Sequence, residues 1–301
     1  MTRIPVNGIH LNVEVEGAGP ALMLLHGFTG DVSTWEALLP AFRGFRTIRV
    51  DLIGHGASDA PEDPERYSMA HAVEDLVALL DHLDIGQTAV LGYSLGGRVA
   101  LHFALEAQER LWALILESSS PGIADAAERA ARAASDNALA DDLLRDGIEA
   151  FVDRWQSQAL FASQLKLPAE IQEKQRRLRL SQKPLGLANS LRGMGAGRQE
   201  YLMPRLGELK IPTFLMAGEL DTKYSQLAYE MAALVPDTAV VVTPDAGHAV
   251  HLELPERFQR LAGTYLNLLL GDEMDVQHLD NLHGGAPRLD SAPERPALGE
   301  A

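Results

Sequence analysis

Ser94 stands in Gly92-Tyr93-Ser94-Leu95-Gly96, after the apolar run Thr88-Ala89-Val90-Leu91 and before Gly97-Arg98-Val99-Ala100-Leu101-His102-Phe103-Ala104-Leu105. A bare G-x-S-x-G recurs by chance. Between a buried strand and a helix it becomes a sharp turn that strains the serine backbone and lifts the hydroxyl above the sheet. The small residues on either side let strand and helix approach closely. Such a serine does chemistry only with a base to take its proton and an acid to hold that base.

Two later segments can supply them. Ile211-Pro212-Thr213-Phe214-Leu215-Met216-Ala217-Gly218-Glu219-Leu220-Asp221 reads as an apolar strand ending in a Gly-led turn that carries an acid. Thr238-Ala239-Val240-Val241-Val242 is a second β-rich run, followed by Thr243-Pro244-Asp245-Ala246-Gly247-His248. A loop histidine beyond a late strand is where the base belongs, and Asp221 can fix its tautomer. His251 is a rival base; Glu219 and Asp245 are rival acids, otherwise solvated turn carboxylates. The order Ser94, Asp221, His248 is the order of an α/β-hydrolase triad. An oxyanion hole has its own signature. Ala21-Leu22-Met23-Leu24-Leu25 reads as a central parallel strand running into His26-Gly27-Phe28-Thr29-Gly30. The backbone N–H groups of Phe28 and Leu95 are expected to converge on one oxygen. His26 reads as a residue that packs and hydrogen-bonds its loop, and His55, in Asp51-Leu52-Ile53-Gly54-His55-Gly56, reads likewise.

The elements that must position these groups follow from the pattern. Residues up to Gly19 read as an antiparallel hairpin turning at Asn7-Gly8. Strands and helices then alternate to Leu111-Trp112-Ala113-Leu114-Ile115-Leu116-Glu117. From Pro121 to Arg205 the strand signal stops, and Ala124 to Arg132, Asp141 to Phe161 and Ala169 to Leu180 have helical spacing. The expected fold class is α/β. A mostly parallel central sheet is flanked by helices, formed by residues 1–120 and 206–270, with a helical cap insertion over 121–205. Residues 271–301 are rich in Pro, Gly and charge and are expected to be disordered.

Composition narrows the chemistry. The 301 residues suffice for one large domain with an insertion. No run of about 18 apolar residues exists, so no membrane span is expected, and the N-terminus lacks the apolar core of a signal peptide. With no cysteine, disulfides, thiolate catalysis and Cys-ligated metals are excluded, which fits a cytoplasmic chain. The histidines do not cluster at metal-ligand spacing. A net charge of −16 argues against nucleic acid or an anionic membrane as a partner. An acidic chain that binds an anion must gather its arginines locally. Arg98, four residues past Ser94, lies one helical turn along the same face and can point at the site.

Several segments go beyond the general hydrolase pattern: Leu116-Glu117-Ser118-Ser119-Ser120-Pro121-Gly122, Gly186-Leu187-Ala188-Asn189-Ser190-Leu191-Arg192-Gly193-Met194-Gly195-Ala196-Gly197, and Ala217-Gly218-Glu219-Leu220-Asp221-Thr222-Lys223-Tyr224. With the Ser94 and His248 motifs, they make residues 4–268 resemble the 2-succinyl-6-hydroxy-2,4-cyclohexadiene-1-carboxylate synthases of menaquinone biosynthesis. The resemblance implies a lyase that eliminates pyruvate from an enolpyruvyl cyclohexene bearing three carboxylates, without cofactor or metal. It implies substrate contacts from Tyr93, Arg98, Arg132, Trp155 and Arg179, with Arg177 as the alternative to Arg179. On that reading Ser94, activated by His248, removes the ring proton beside the succinyl ketone, and no acyl-enzyme forms. An ester or carbon–carbon hydrolase using the same triad is the alternative. A non-catalytic ligand-binding protein of this fold is a third reading, against which the complete Ser-Asp-His set weighs.

Overall fold

The structure is a computed structural model that describes residues 2–271. Its described residues form a compact unit through Gly263; a second unit begins at Thr264. The expectation for residues 271–301 falls almost wholly outside the described residues.

The chain opens with β1 (Thr2–Val6) and β2 (Ile9–Glu16). They pair antiparallel through a turn in which Asn7 and Gly8 both take positive φ, the conformation the Asn-Gly pair adopts most readily. Then follow β3 (Ala21–Leu25), β4 (Arg46–Val50), α1 (Met69–His82), β5 (Thr88–Tyr93), α2 (Leu95–Glu106) and β6 (Leu111–Glu117). After a helical stretch come β7 (Thr213–Gly218), α6 (Thr222–Ala232), β8 (Thr238–Thr243), α7 (Val250–Glu253) and α8 (Pro255–Leu269). The strands form one eight-stranded sheet in the order β1-β2-β4-β3-β5-β6-β7-β8, parallel from β4 to β8. All five residues of β3 are buried, as expected for a central parallel strand covered on both faces. The continuous apolar runs of the sequence are therefore the strands at the middle of the sheet.

Between β6 and β7 the described elements are all helical. They are α3 (Ala126–Gln156), a 3₁₀ stretch over Ala159–Lys166, α4 (Ala169–Leu180), α5 (Pro184–Met194) and a further 3₁₀ stretch over Met203–Glu208. The sequence reads two separate helices where α3 runs, with a gap at residues 133–140. Half of those residues are alanine and they sustain the helix, and the break falls instead at Gly147, where φ is 84°. The helix α5 has no counterpart in the sequence reading. This insertion has a small core of its own, Ala140, Leu143, Phe151, Val152, Leu187, Ala188 and Leu191, and Phe28 of the loop after β3 packs against it.

The loops at the C-terminal ends of the strands are tied together by buried polar groups. Asp51 Oδ1 accepts from Val32 N, while its Oδ2 accepts from Asn12 Nδ2 and Ala57 N. His26 is fully buried; its Nδ1 donates to Gly27 O at 2.7 Å and its Nε2 accepts from Leu52 N at 3.1 Å. His26 thus holds the loop after β3 to the loop after β4. His55, donating to Ile53 O at 3.1 Å, lies against the rings of His26 and Phe28. Burial lowers its pKa to about 3.

Candidate active site

The turn from β5 into α2 carries Ser94 at φ 50° and ψ −106°, a strained backbone for a residue with a side chain. Three contacts enforce it. Ser94 N donates to Glu117 O at 2.9 Å, Gly96 N donates to His26 O at 3.1 Å, and a Cβ on Gly96 would run into the Leu25 carbonyl. Glycine at 96 is thus required by the close approach of α2 to the end of β3. The same approach brings the His26–Gly30 loop beside the helix N-terminus. Leu95 is the first residue of α2, so its N–H has no acceptor within the helix. Phe28 sits in the loop that Gly96 N anchors. Phe28 and Leu95, whose N–H groups are expected to form an oxyanion hole, line the same cavity as Ser94.

His248 reaches Ser94 from the loop after β8. Its Nε2 lies 3.0 Å from Ser94 Oγ and its Nδ1 lies 2.6 Å from Asp221 Oδ2. His248 is 1% exposed and Asp221 is at the edge of burial. With Nδ1–H donating to the carboxylate, Nε2 is left to accept the serine O–H. Asp221 is itself fixed as the N-cap of α6: its Oδ1 accepts from Tyr224 N at 3.3 Å. Glu253 braces the His248 loop, its carboxylate accepting from Gly247 N at 2.7 Å and Ala249 N at 3.3 Å, one residue to each side of the histidine. The rivals are exposed or otherwise engaged. Glu219 and Asp245 are exposed. His251 is engaged with the fully buried Glu117, whose carboxylate accepts from His251 N at 2.9 Å and from Nδ1 at 2.8 Å.

Above Ser94 a cavity of about 480 Å³ opens between the strand-end loops and the helical insertion. Its lining includes Phe28, Tyr93, Ser94, Leu95, Arg98, Arg132, Trp155, Arg179 and His248, so the structure brings every site residue expected from the sequence except Asp221 to one surface; Asp221 stands behind His248. The cavity's arginines differ in their partners. Arg98 is part-buried, donating through NH1 to Met194 O at 2.7 Å and Gln199 Oε1 at 3.2 Å, with Arg132 and Tyr224 near enough to act on its charge. Burial lowers its guanidinium pKa to about 10, which leaves it charged at neutral pH. Arg132, half-exposed, donates through Nε to Asp136 Oδ1 at 2.8 Å. Arg179 lies over the Phe161 ring, 5.3 Å from its centroid, and near Tyr93; burial lowers its pKa while Tyr93 opposes the shift. Arg177 is on the same helix but two-thirds exposed, paired with Glu173. Aromatic rings pack at the wall: Trp155 meets Phe28 edge-on at 5.1 Å and stacks with Phe151 at 5.7 Å. Tyr93 packs between His248 and His251 and, with burial and Glu117 both acting, its phenol is held well above its ordinary pKa.

Several lining residues were not singled out from sequence, Tyr224, Phe161 and Asp136 among them. Tyr224 stands edge-on to His248 at 4.7 Å, its phenol raised by burial and drawn back by Arg98 and Arg132. Its position three residues after Asp221, on the same helical face, is the signal that could have found it. Phe161 also packs against His248. Asp136, one turn after Arg132, carried no signal, because an acid is not expected among groups that gather anions. Among the described residues no cluster of three or more metal-ligating side chains occurs, and no helix is long and apolar enough to cross a membrane.

The family model of the α/β-hydrolase fold matches residues 20–255. A Bacillus subtilis (strain 168) protein named provisionally as a 2-succinyl-6-hydroxy-2,4-cyclohexadiene-1-carboxylate synthase is 40% identical over 262 residues, 86% of this chain and 96% of that one. The chain belongs to this synthase family of α/β hydrolases. The synthase of Klebsiella pneumoniae (strain 342) is 34% identical over 236 residues, covering 78% of this chain and 89% of its own length. The structure of MenH from S. aureus superposes with a TM-score of 0.83 at 37% identity, over 86% of this chain and 98% of that one. Family membership covers the sheet, the strand-end loops and the insertion, the three parts from which the cavity is built.

Proposed function

We propose that this chain is a lyase of menaquinone biosynthesis. It eliminates pyruvate from 2-succinyl-5-enolpyruvyl-6-hydroxy-3-cyclohexene-1-carboxylate to leave 2-succinyl-6-hydroxy-2,4-cyclohexadiene-1-carboxylate. One observation carries the reading: the Ser94–His248–Asp221 relay opens into a cavity whose wall holds three guanidinium groups, those of Arg98, Arg132 and Arg179, together with several aromatic rings. A neutral ester needs no such arrangement; a substrate with several carboxylates does. Each arginine offers a planar fork suited to a carboxylate, and burial strengthens the contact. Arg98 and Arg132 take one acidic end of the substrate and Arg179 the other, with Trp155 and Tyr93 against the ring.

The chemistry follows from the polarity of the relay. His248 Nε2 draws the proton from Ser94 Oγ, and the oxygen takes the proton from the ring carbon beside the succinyl ketone. The electron pair moves into the ketone, whose oxygen becomes negative between the N–H groups of Phe28 and Leu95. When that charge returns, the bond from the ring to the enolpyruvyl oxygen breaks. The leaving group departs as the enolate of pyruvate and is protonated. No water is consumed, and the serine forms no bond to carbon. The same reading places the reaction in the cytoplasm with a small tricarboxylate as the ligand. The test is pyruvate release from the enolpyruvyl substrate, run beside a panel of p-nitrophenyl esters. Rapid pyruvate release with slow ester turnover is expected; efficient ester hydrolysis without pyruvate would transfer the site to hydrolysis.

A further inference from the structure

We propose that Asp136 reads the ring hydroxyl of the substrate, its Oδ2 accepting the hydrogen bond of a hydroxyl that neighbours the carboxylate held by Arg98 and Arg132. The inference rests on the function proposed above and adds to it the group that tells a hydroxy acid from its dehydrated counterpart.

Asp136 is 4% exposed and lies on α3 one turn beyond Arg132. Its Oδ1 accepts from Arg132 Nε at 2.8 Å. Its Oδ2 is buried and has no hydrogen-bond partner among the described residues. The residue lines the cavity beside Arg132, Met194 and Gly195, and it acts electrostatically on Arg98. Gly195 packs against that oxygen: a Cβ there would lie 2.6 Å from Oδ2. A negative group in an anion site works against binding carboxylates. Holding Arg132 in place needs only one oxygen. The second is a buried acceptor left unmade, a condition native structures avoid unless something else supplies the donor.

The substrate chemistry supplies one. In the product for which the relatives are named, the carboxylate is on ring carbon 1 and the hydroxyl on ring carbon 6. The two carbons are adjacent. A donor beside an acid calls for an acceptor beside a guanidinium, and Asp136 touching Arg132 is that pair. Ser190 Oγ and Trp155 Nε1 are also buried at the cavity wall without partners. An indole N–H only donates, and a hydroxyl is neutral; an ionised carboxylate is the strong acceptor of the three. A site built to satisfy a substrate hydroxyl discriminates against a ligand that lacks it, because the buried acceptor is then left bare. Loss of water from the product would give the aromatic acid 2-succinylbenzoate, with the same two carboxylates and no ring hydroxyl. Asp136 therefore favours the hydroxy acid over this compound.

The probes are the hydroxy diene product and 2-succinylbenzoate, with dissociation constants measured by competition against pyruvate release. The expected preference of the wild type for the hydroxy acid is about tenfold or more, the size of a hydrogen bond to a charged acceptor. In Asp136→Ala that preference should fall to within about threefold. Asp136→Asn, whose amide oxygen can keep the Arg132 contact and preserve the fold, should show the same collapse. The ratio is the readout because an Asp136 that only oriented Arg132 would weaken both ligands alike and leave the ratio unchanged. An unchanged ratio in both variants, or equal affinities in a wild type that releases pyruvate, overturns the assignment of Asp136 alone. A folded wild type that binds neither acid and releases no pyruvate overturns the proposed reaction, and this inference with it.

Discussion

Arg98→Ala should injure the protein twice, and the two injuries can be measured apart. The guanidinium is part-buried, and its NH1 donates to Met194 O and Gln199 Oε1, joining α2 of the sheet framework to the end of α5 in the insertion. Truncation leaves two buried acceptors without a donor. At about 1–3 kcal/mol for each, a loss of roughly 2–6 kcal/mol of stability is expected. That corresponds to a melting temperature lower by about 3–10 °C in a chain of this size. Independently, removing a buried charge partner of a substrate carboxylate should lower kcat/KM by a factor worth about 2–4 kcal/mol. Gln199→Ala separates the effects. It removes one lock partner and leaves the guanidinium, so it should show part of the thermal loss with kcat/KM close to wild type. Arg98→Lys keeps the charge and loses the fork, and should fall between wild type and Arg98→Ala in kcat/KM. Calorimetry and pyruvate release on all three variants are the assays. Arg98→Ala with wild-type kcat/KM would refute the reasoning, as would an Arg98→Ala defect that Gln199→Ala reproduces in full.

Ser94→Ala and His248→Ala should each lower kcat by about three orders of magnitude, and the double variant little further, because the two act as a unit; pyruvate release in steady state decides it. Glu253→Ala should lower kcat about tenfold and cost about 1–3 kcal/mol in urea unfolding, since it frees the amides on both sides of His248. Acid should destabilise the fold through its buried neutral histidines. Burial holds the pKa of His55 at about 3 and that of His102 at about 4, against an ordinary 6.5. Between those values the unfolded state binds protons that the native state refuses. Stability is therefore full above about pH 6.5 and falls as pH drops towards 4, by on the order of 1.4 kcal/mol per pH unit for each histidine. Urea midpoints at pH 7 and pH 5 measure the slope, and His102→Gln should reduce it by about half; an unchanged slope would show that another group is responsible.

Much of the frame was legible because its signals are local. The runs at 21–25, 88–91 and 111–117 are almost wholly apolar and form buried strands of the sheet, and the β-rich run at 238–242 forms its half-exposed edge strand, so each could be read as a strand without knowing its neighbours. Ser94, Asp221 and His248 could be ordered because each ends or follows such a run. The helix α5 was missed because its sequence holds Gly186 and Gly193, residues that ordinarily interrupt a helix. In the fold those glycines serve contact. A Cβ on Gly186 would meet the backbone of Gly54, and one on Gly193 would meet Tyr67. Sequence reports composition and cannot report which backbone lies opposite. Asp136 was invisible for the same reason: one turn from Arg132, an acid reads as an ordinary exposed helix pair. Only the tertiary fold shows that it is buried, lines the cavity and keeps one oxygen unused. The choice between Arg177 and Arg179 likewise depends on which face of α4 meets the cavity, and the helix is too polar for its own periodicity to say.

The central claim is that Ser94 and His248 move a proton and that Ser94 never becomes acylated. It is tested most directly by incubating the protein with the enolpyruvyl substrate in ¹⁸O-labelled water and recording both the cyclic product and the intact mass of the chain. Elimination predicts pyruvate in equal amount to the diene, no ¹⁸O in the carboxylates of the diene, and a chain of unmodified mass at every time point. An ¹⁸O-labelled carboxylate product, with an acyl adduct on Ser94, would contradict it.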